Sequence, residues 1–127
     1  MNYLLDTHAF LWFIDGNPIL SAKTKKAIQN PELMKFVSIV SLWEIAIKTS
    51  KNKLILTLPF EALPEYVNAN GFVLLPIKTK HLFQLKELIY HHGDPFDRLL
   101  IAQAITEDLT IISADKEFEA YPVRVDW

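Results

Sequence analysis

The chain has 127 residues, enough for one domain with its own hydrophobic core. Hydrophobic residues make up 50% and charged residues 22%, a balance typical of a soluble globular protein. The absence of cysteine excludes disulfides and thiolate zinc sites, and a formal net charge of −2 argues against nucleic-acid binding through a bulk positive field. Composition therefore defines a broad class of protein without indicating a function.

The N-terminal segment is apolar, but it carries Asp6 and ends at Asp15-Gly16. It lacks the basic region and the small-residue cleavage site of a signal peptide. No uncharged apolar run is long enough to span a bilayer. We therefore expect a cytoplasmic protein with no membrane partner, organised as a single domain over residues 1–127.

The first half of the chain alternates short apolar runs with helical ones. The predicted elements are, in chain order, a strand at 3–5, a helix at 8–14, a basic helix at 21–30, a strand at 36–39 and a helix at 41–51. Ser21 and Ser41 are predicted helix caps, and Asn30-Pro31 ends the second helix. The first strand runs directly into Asp6.

The second half continues the alternation. The predicted elements are a helix at 60–69, a strand at 72–75, a helix at 79–90, a helix at 95–107, a strand at 110–112, a helical turn at 116–120 and a closing strand at 123–125. Asn70-Gly71 predicts the turn before the third strand, and Thr79 is predicted to cap the helix that follows it. The segment 95–107 is the longest predicted helix.

The predicted strands are continuous and apolar instead of alternating between apolar and polar residues. Strands of this kind are covered on both faces, which indicates a mostly parallel α/β sheet between helices. Ligands of such sheets bind beyond the carboxyl ends of the strands, where the strand order changes direction. Reactive residues should therefore be sought at that edge.

Four carboxylates are expected at that edge. Asp6 follows the first strand, and Glu44 lies in the first predicted turn of the helix after the second strand. Asp97 lies in the first turn of the helix that leads into the fourth strand, and Asp115 follows that strand. Because strand ends and helix beginnings share one edge of a parallel sheet, we expect the four side chains to meet.

Each of these acids alone also fits a purely structural role. Glu44 completes a capping box with Ser41, in which its side chain reaches back to the Ser41 amide. Asp97 suits the first turn of a helix that Asp94 caps. Asp6 fits as the cap of a helix that begins at Thr7, and Asp115 fits as the cap of the turn at Lys116. Their common edge favours a functional site for the set.

Crowded carboxylates repel one another and raise each other's pKa unless a cation neutralises them. Mg²⁺ or Mn²⁺ prefers such oxygen ligands and keeps several waters. A metal-activated water can attack a phosphodiester, and a second cation can stabilise the leaving oxygen. The residues themselves therefore indicate metal-dependent phosphodiester hydrolysis.

Four motifs resemble the PIN-domain family, and more closely the VapC toxins of bacterial and archaeal VapBC toxin–antitoxin pairs. They are LLDTHAFLW at 4–12, SLWEIAIK at 41–48, HHGDPFDRLLIAQA at 91–104 and ISADKEFEAYPV at 112–123. The resemblance spans nearly the whole chain in the family's order. It implies a PIN-like three-layer α/β sandwich, with a central mostly parallel sheet of about five strands flanked by helices.

The resemblance also implies a Mg²⁺- or Mn²⁺-dependent ribonuclease in a prokaryotic cytoplasm. Carried over by position, Asp6 and Asp97 are direct metal ligands, and Glu44 and Asp115 complete the catalytic pocket directly or through water. The implied partners are an RNA substrate, a cognate VapB-type antitoxin and a second copy of the chain in a homodimer. Cleavage would leave a 3′-hydroxyl and a 5′-phosphate.

Three further residues are predicted to support the site. Ser113 stands where family members commonly have Thr, so the hydroxyl is kept, and Thr7 follows the first acid. Arg98 either clamps a phosphate or pairs with Asp94 or Asp97 to orient the acid; we favour the orienting role. Adjacent loop histidines are usually solvated, so metal ligation by His91 or His92 is disfavoured. The resemblance gives His92 a packing or substrate role.

Two other functions compete with the nuclease. A phosphoacceptor receiver domain shares the length, the parallel sheet and an acidic pocket. It needs an acidic pair after the first strand and an aspartate at the end of the third, whereas Thr7-His8 follow Asp6 and the third strand ends at Leu75-Pro76. A catalytically inert PIN-fold domain would bind RNA or protein only; the complete set of acids disfavours it, since inert family members tend to lose them.

Overall fold

A computed structural model describes residues 1–127. Its strands are β1 (Tyr3–Leu5), β2 (Lys35–Ser38), β3 (Val73–Leu75), β4 (Thr110–Ile112) and β5 (Val125–Asp126). They form one five-stranded sheet in the order β3-β2-β1-β4-β5, and every neighbouring pair is parallel. The predicted parallel sheet of about five strands is confirmed.

This strand order also decides against one alternative. In the doubly wound fold of receiver domains the sheet has the order 2-1-3-4-5. Here β1 is central, with β2 and β3 on one side and β4 and β5 on the other. The connections therefore differ from those of a phosphoacceptor receiver, in agreement with the lack of its acidic motif.

The helices lie on both faces of this sheet. They are α1 (Thr7–Asp15), α2 (Ala22–Ile28), α3 (Ile39–Ser50), α4 (Leu63–Ala69), α5 (Thr79–Glu87) and α6 (Pro95–Glu107), with 3₁₀ turns at Phe60–Ala62 and Lys116–Ala120. No helix is both long and apolar enough to cross a membrane.

Side chains of the central strands alternate between two hydrophobic clusters of 13 buried residues each. In β1, Leu5 packs with α1, α3 and α4 residues, and Leu4 packs with α6 residues. In β4, Ile112 lies in the same cluster as Leu5, and Ile111 lies in the same cluster as Leu4. Because successive strand residues point to opposite faces, two clusters mean that both faces are covered, which confirms the three-layer sandwich.

The predicted start of the helix after the second strand, with Ser41 as its cap, is wrong. Helix α3 begins at Ile39, and its N-cap is Ser38, whose side chain accepts a hydrogen bond from the Val40 amide. Ser38 also ends β2, so strand and helix adjoin without a loop. Both serines suit a cap, and the register of the sheet selects Ser38.

Helix α5 is shorter than predicted, ending at Glu87 instead of Tyr90. Leu88 adopts an extended backbone, with φ −68° and ψ 130°. The carbonyl groups of Leu88 and Ile89 accept hydrogen bonds from the buried guanidinium of Arg98. This tertiary contact draws the chain away from the helix axis, and nothing local in the sequence encodes it. The last strand is likewise shifted, from 123–125 to Val125–Asp126.

Candidate active site

The sheet changes direction between β1 and β4. The chain proceeds outward from β1 through β2 to β3, then returns to the opposite side of β1 as β4. Asp6 follows β1 and Ser113 follows β4 at this switch point, and the Ser113 hydroxyl donates to Asp6 Oδ2 at 2.6 Å. The carboxyl edge therefore holds a carboxylate where such sheets bind ligands.

Asp6 serves both as a helix cap and as a candidate ligand. Its Oδ1 accepts a hydrogen bond from the Ala9 amide at 2.7 Å at the beginning of α1. The residue is 4% exposed, and this burial raises the pKa of its carboxyl group. The bonds from Ser113 and Ala9 oppose that rise in pKa without cancelling it. The two roles considered for Asp6 are thus compatible.

Glu44 is buried, with one carboxylate oxygen unpaired. Because α3 begins at Ile39, Glu44 lies in the second turn, and the predicted capping box with Ser41 is wrong. Glu44 Oε2 accepts from Lys48 Nζ at 2.6 Å, one helical turn further on. Glu44 Oε1 is the only buried side-chain nitrogen or oxygen with no hydrogen-bond partner. Leaving such an atom unpaired is costly unless a ligand satisfies it.

Asp97 lies in the first turn of α6, as predicted. Asp94 caps this helix and accepts hydrogen bonds from the amides of Phe96 and Asp97. Burial, followed by the charges of Asp94, Glu44 and Asp6, raises the pKa of Asp97 to about 6, against a hydrogen bond from His92 that lowers it. Asp97 therefore lies within electrostatic range of Glu44 and Asp6.

Asp115 completes the set at the solvent side. Its Oδ1 accepts from the Glu117 amide and so caps the 3₁₀ turn, and its own amide donates to the Ser113 hydroxyl. Its charge contributes to the raised pKa of Asp6. A cleft of about 250 Å³ opens here, lined by Asp6, His8, Trp12, Ala114 and Asp115. The structure thus brings all four predicted acids to one edge.

The supporting residues act differently from one another. Ser113 donates a hydrogen bond to Asp6 directly, whereas the Thr7 hydroxyl donates to the Ser41 hydroxyl at 3.0 Å and so links α1 to α3. The predicted pairing of Arg98 with Asp94 or Asp97 is wrong. Arg98 is 3% exposed, and its guanidinium donates to two carbonyl groups and to the Tyr121 hydroxyl. Its burial also removes it from a phosphate.

One contact was missing from the sequence-based prediction. His92 Nε2 lies 3.3 Å from Asp97 Oδ2, and His92 Nδ1 lies 2.8 Å from the Tyr121 hydroxyl. The position of His92 near Asp97 in the chain was a signal for the first contact. No local signal announces Tyr121, which is separated from His92 by 29 residues.

The donor set suits a hard divalent cation. As the side chains stand, no three His, Asp or Glu residues are grouped closely enough to ligate one ion together. The donors are nevertheless carboxylate oxygens, which Mg²⁺ and Mn²⁺ prefer, and these ions usually keep several waters. A cation would satisfy the unpaired Glu44 Oε1 and would relieve the repulsion that raises the pKa of Asp97. On these grounds the residues fit such an ion.

Residues 3–123 match the family model of the PIN domain. The match covers nearly the whole chain, and the protein therefore belongs to the PIN-domain family. No curated protein sequence matches the chain.

Solved structures share the fold. A chain of VapBC2 from Rickettsia felis, crystallised bound to a promoter DNA fragment, superposes with a TM-score of 0.74 at 20% identity, covering 100% of this chain and 99% of that one. DNA-bound VapBC from Salmonella typhimurium superposes with a TM-score of 0.74 at 17% identity, covering 99% of this chain and 97% of that one. FitAcB from Neisseria gonorrhoeae superposes with a TM-score of 0.66 at 17% identity, covering 97% of this chain and 95% of that one. At these identities the likeness establishes a common fold.

Proposed function

We propose that the protein is a Mg²⁺- or Mn²⁺-dependent endoribonuclease that acts as the toxin of a VapBC-type pair. The observation that carries the proposal is that Asp6 and Glu44 lie within electrostatic range of Asp97 at the carboxyl edge of the sheet, with a buried Glu44 oxygen left unpaired. Membership of the PIN-domain family supports nuclease chemistry. The VapBC and FitAB assemblies that share its fold support the toxin assignment.

The protein's own residues provide the frame for hydrolysis. Asp6 is held by Ser113 and the Ala9 amide, and Asp97 is held by His92, so both carboxylates present fixed oxygens. A bound divalent cation would supply the positive charge that activates water and offsets the charge of the phosphodiester. Water then forms a bond to phosphorus as the bond to the 3′ oxygen breaks and that oxygen takes up a proton. The products are a 3′-hydroxyl and a 5′-phosphate.

The same proposal implies two protein partners. Structures that share the fold are VapBC assemblies, so we infer a VapB-type antitoxin for this chain. The resemblance to VapC toxins adds a homodimer of the chain itself to the proposal. The antitoxin gene is expected beside the gene for this chain. Co-expression of that neighbour should abolish the growth arrest that the chain causes alone.

Asp97→Asn tests the proposal directly. Since the variant removes a charge and keeps the shape, we expect Mg²⁺-dependent RNA cleavage to fall by on the order of a thousandfold at unchanged folding. Growth arrest on induction should disappear with it. The measurement is cleavage of total RNA with Mg²⁺ or with EDTA, followed by mapping of the new ends.

Asp94→Asn is the matched control in the same motif. Asp94 is exposed and caps α6, and asparagine caps a helix about as well as aspartate. Cleavage should therefore persist in this variant. Full activity in Asp97→Asn would contradict the site assignment. Failure of the wild-type chain to bind Mn²⁺ in a calorimetric titration would favour an inert PIN-fold binding domain instead.

A further inference from the structure

Asp97 has a single side-chain hydrogen-bond partner, His92, which is itself held by a residue far along the chain. We propose that Tyr121 fixes the tautomer of His92 so that Nε2 carries the hydrogen and donates it to Asp97 Oδ2. His92 and Tyr121 are then positioning residues for a candidate metal ligand. The tautomer follows from hydrogen-bond geometry alone, whereas its use in metal binding rests on the proposed function.

Two donors face the oxygen of the Tyr121 hydroxyl group. Arg98 Nη1 donates to the Tyr121 hydroxyl at 3.1 Å, and a guanidinium has no acceptor, so the tyrosine oxygen must accept there. The His92 backbone amide also donates to the same oxygen, at 3.3 Å. These two bonds use both lone pairs of the hydroxyl oxygen.

The hydrogen of the Tyr121 hydroxyl group points to His92 Nδ1. With its lone pairs taken, the Tyr121 hydroxyl can only donate. Its candidate acceptors are His92 Nδ1 at 2.8 Å and the His92 carbonyl oxygen at 3.5 Å. The shorter contact is a good O–H donor distance, and the longer one is at the limit for a hydrogen bond. Nδ1 is therefore the acceptor, and the neutral ring carries its hydrogen on Nε2.

Further contacts of Arg98 hold the Arg98–Tyr121–His92 arrangement in place. Arg98 is buried and also donates to the carbonyl groups of Leu88 and Ile89, at 3.1 and 3.0 Å. Its guanidinium carbon lies 3.7 Å from the centre of the Tyr90 ring. The arginine therefore cannot turn away from Tyr121. The hydrogen bonds run in one direction, with Arg98 donating to Tyr121 and Tyr121 donating to His92.

The consequence lies at Asp97. The Nε2 hydrogen of His92 occupies one lone pair of Oδ2, at 3.3 Å, and no other side chain bonds to this carboxylate. Oδ1 is left for a cation. Such outer hydrogen bonds orient ligands, and their loss typically costs 10–100-fold in metal affinity.

Nitrogen-15 NMR of the histidine rings in the full-length, metal-free chain tests the tautomer. At about pH 8, above the ordinary pKa of histidine, His92 should give the signature of the neutral Nε2–H ring. Tyr121→Phe should shift it towards a mixture of tautomers, by less than the full amount because the ionised Asp97 still accepts from Nε2 at 3.3 Å. His92→Gln assigns the signals by their loss. An Nδ1–H or averaged ring in the wild type, or no change in Tyr121→Phe, would overturn the inference.

His81 provides an internal reference for this experiment. Its Nδ1 accepts a hydrogen bond from the Lys78 amide at 2.9 Å, so its ring is also held as the Nε2–H tautomer, far from Tyr121 in the chain. Its signals should be the same in wild type and Tyr121→Phe. An unchanged His81 spectrum also shows that the variant remains folded.

Mn²⁺ affinity tests the positioning role. His92→Leu should weaken Mn²⁺ binding by about tenfold, whereas His92→Gln, which keeps an N–H donor, should recover most of the loss. His91→Gln is the matched control, since His91 contacts the Tyr121 ring only edge-on. Equal affinities in His92→Leu and wild type would overturn the positioning role. A wild-type chain that binds no Mn²⁺ would overturn the proposed function and this role together, while the NMR result would still decide the tautomer.

Discussion

Two polar regions of this molecule are partly buried, and their buried atoms are satisfied to different degrees. One is the acidic rim formed by Asp6, Glu44, Asp97 and Asp115. The other is the α5–α6 joint, formed by Lys78, His81, Gln103 and Glu107. At the rim the pKa of Asp6 and that of Asp97 are raised and Glu44 Oε1 has no partner. At the joint His81 and Gln103, both fully buried, have their polar atoms paired.

The difference separates stability from function. Glu107 Oε2 lies 2.7 Å from His81 Nε2, and this hydrogen bond, followed by that of Lys80, lowers the pKa of Glu107. The joint therefore stabilises the ionised carboxylate, whereas the rim disfavours it. A folded protein tolerates such incomplete satisfaction where a ligand completes the network. Substitutions in the two regions should thus have opposite consequences.

The largest expected effect is on cation binding at the rim. Glu44→Gln keeps the shape of the side chain but removes the charge that faces Asp97, so Mn²⁺ affinity should fall by at least about a hundredfold. The free energy of unfolding of the metal-free protein should not decrease appreciably, since the change relieves the repulsion of Asp97 and loses only the ion pair with the partly exposed Lys48. Calorimetric titration and urea denaturation measure the two quantities. Glu65→Gln, on the exposed surface of α4, is the control and should change neither.

A smaller and opposite effect is expected at the joint. His81→Leu leaves the Lys78 amide and the Glu107 carboxylate without their partner, which should lower the free energy of unfolding by about 2 kcal/mol. Mn²⁺ affinity should stay within about twofold of wild type, because His81 contacts none of the rim carboxylates.

Lys80→Met is the control for this change. Lys80 also pairs with Glu107 but is half exposed, so its loss should cost about 0.5 kcal/mol or less. A large loss of cation affinity in His81→Leu would show that the two regions are coupled.

The smallest effect is the response to pH. Asp97 has a folded pKa of about 6 against an ordinary 3.8, so its contribution to stability is complete below its ordinary pKa and is lost as pH rises through about 6. After allowance for solvent screening, the loss is on the order of 1–2 kcal/mol. Cation binding should show the reverse, strengthening with pH through the same range.

The Asp97→Asn variant isolates this contribution. Urea midpoints of the metal-free protein, compared between about pH 5 and about pH 7.5, should fall less in the variant than in wild type. Glu107 acts in the other direction: its pKa is lowered, so its stabilisation is present above its ordinary value of 4.5 and is lost only in more acidic solution. Identical pH profiles for wild type and Asp97→Asn would contradict the raised pKa.

Several features of the site were predictable because they are local. Asp94-Pro95 is a helix start, and it places Asp97 one turn further in, as the structure shows. Asp6 directly follows an apolar strand, so its position at the edge of the sheet follows from the strand itself. The boundary of α3 was not predictable in this way, because Ser38 and Ser41 are equally suitable caps.

Local patterns in the chain encode the alternation of buried strands and helices, the parallel sheet and the position of four acids at its carboxyl edge. These follow from hydrophobic periodicity and capping, which act over a few residues. The partners of Arg98, the unpaired oxygen of Glu44 and the contact of Tyr121 with His92 were visible only in the folded protein. Those depend on how separate elements pack, because a hydrogen bond between distant residues exists only once the fold has brought them together.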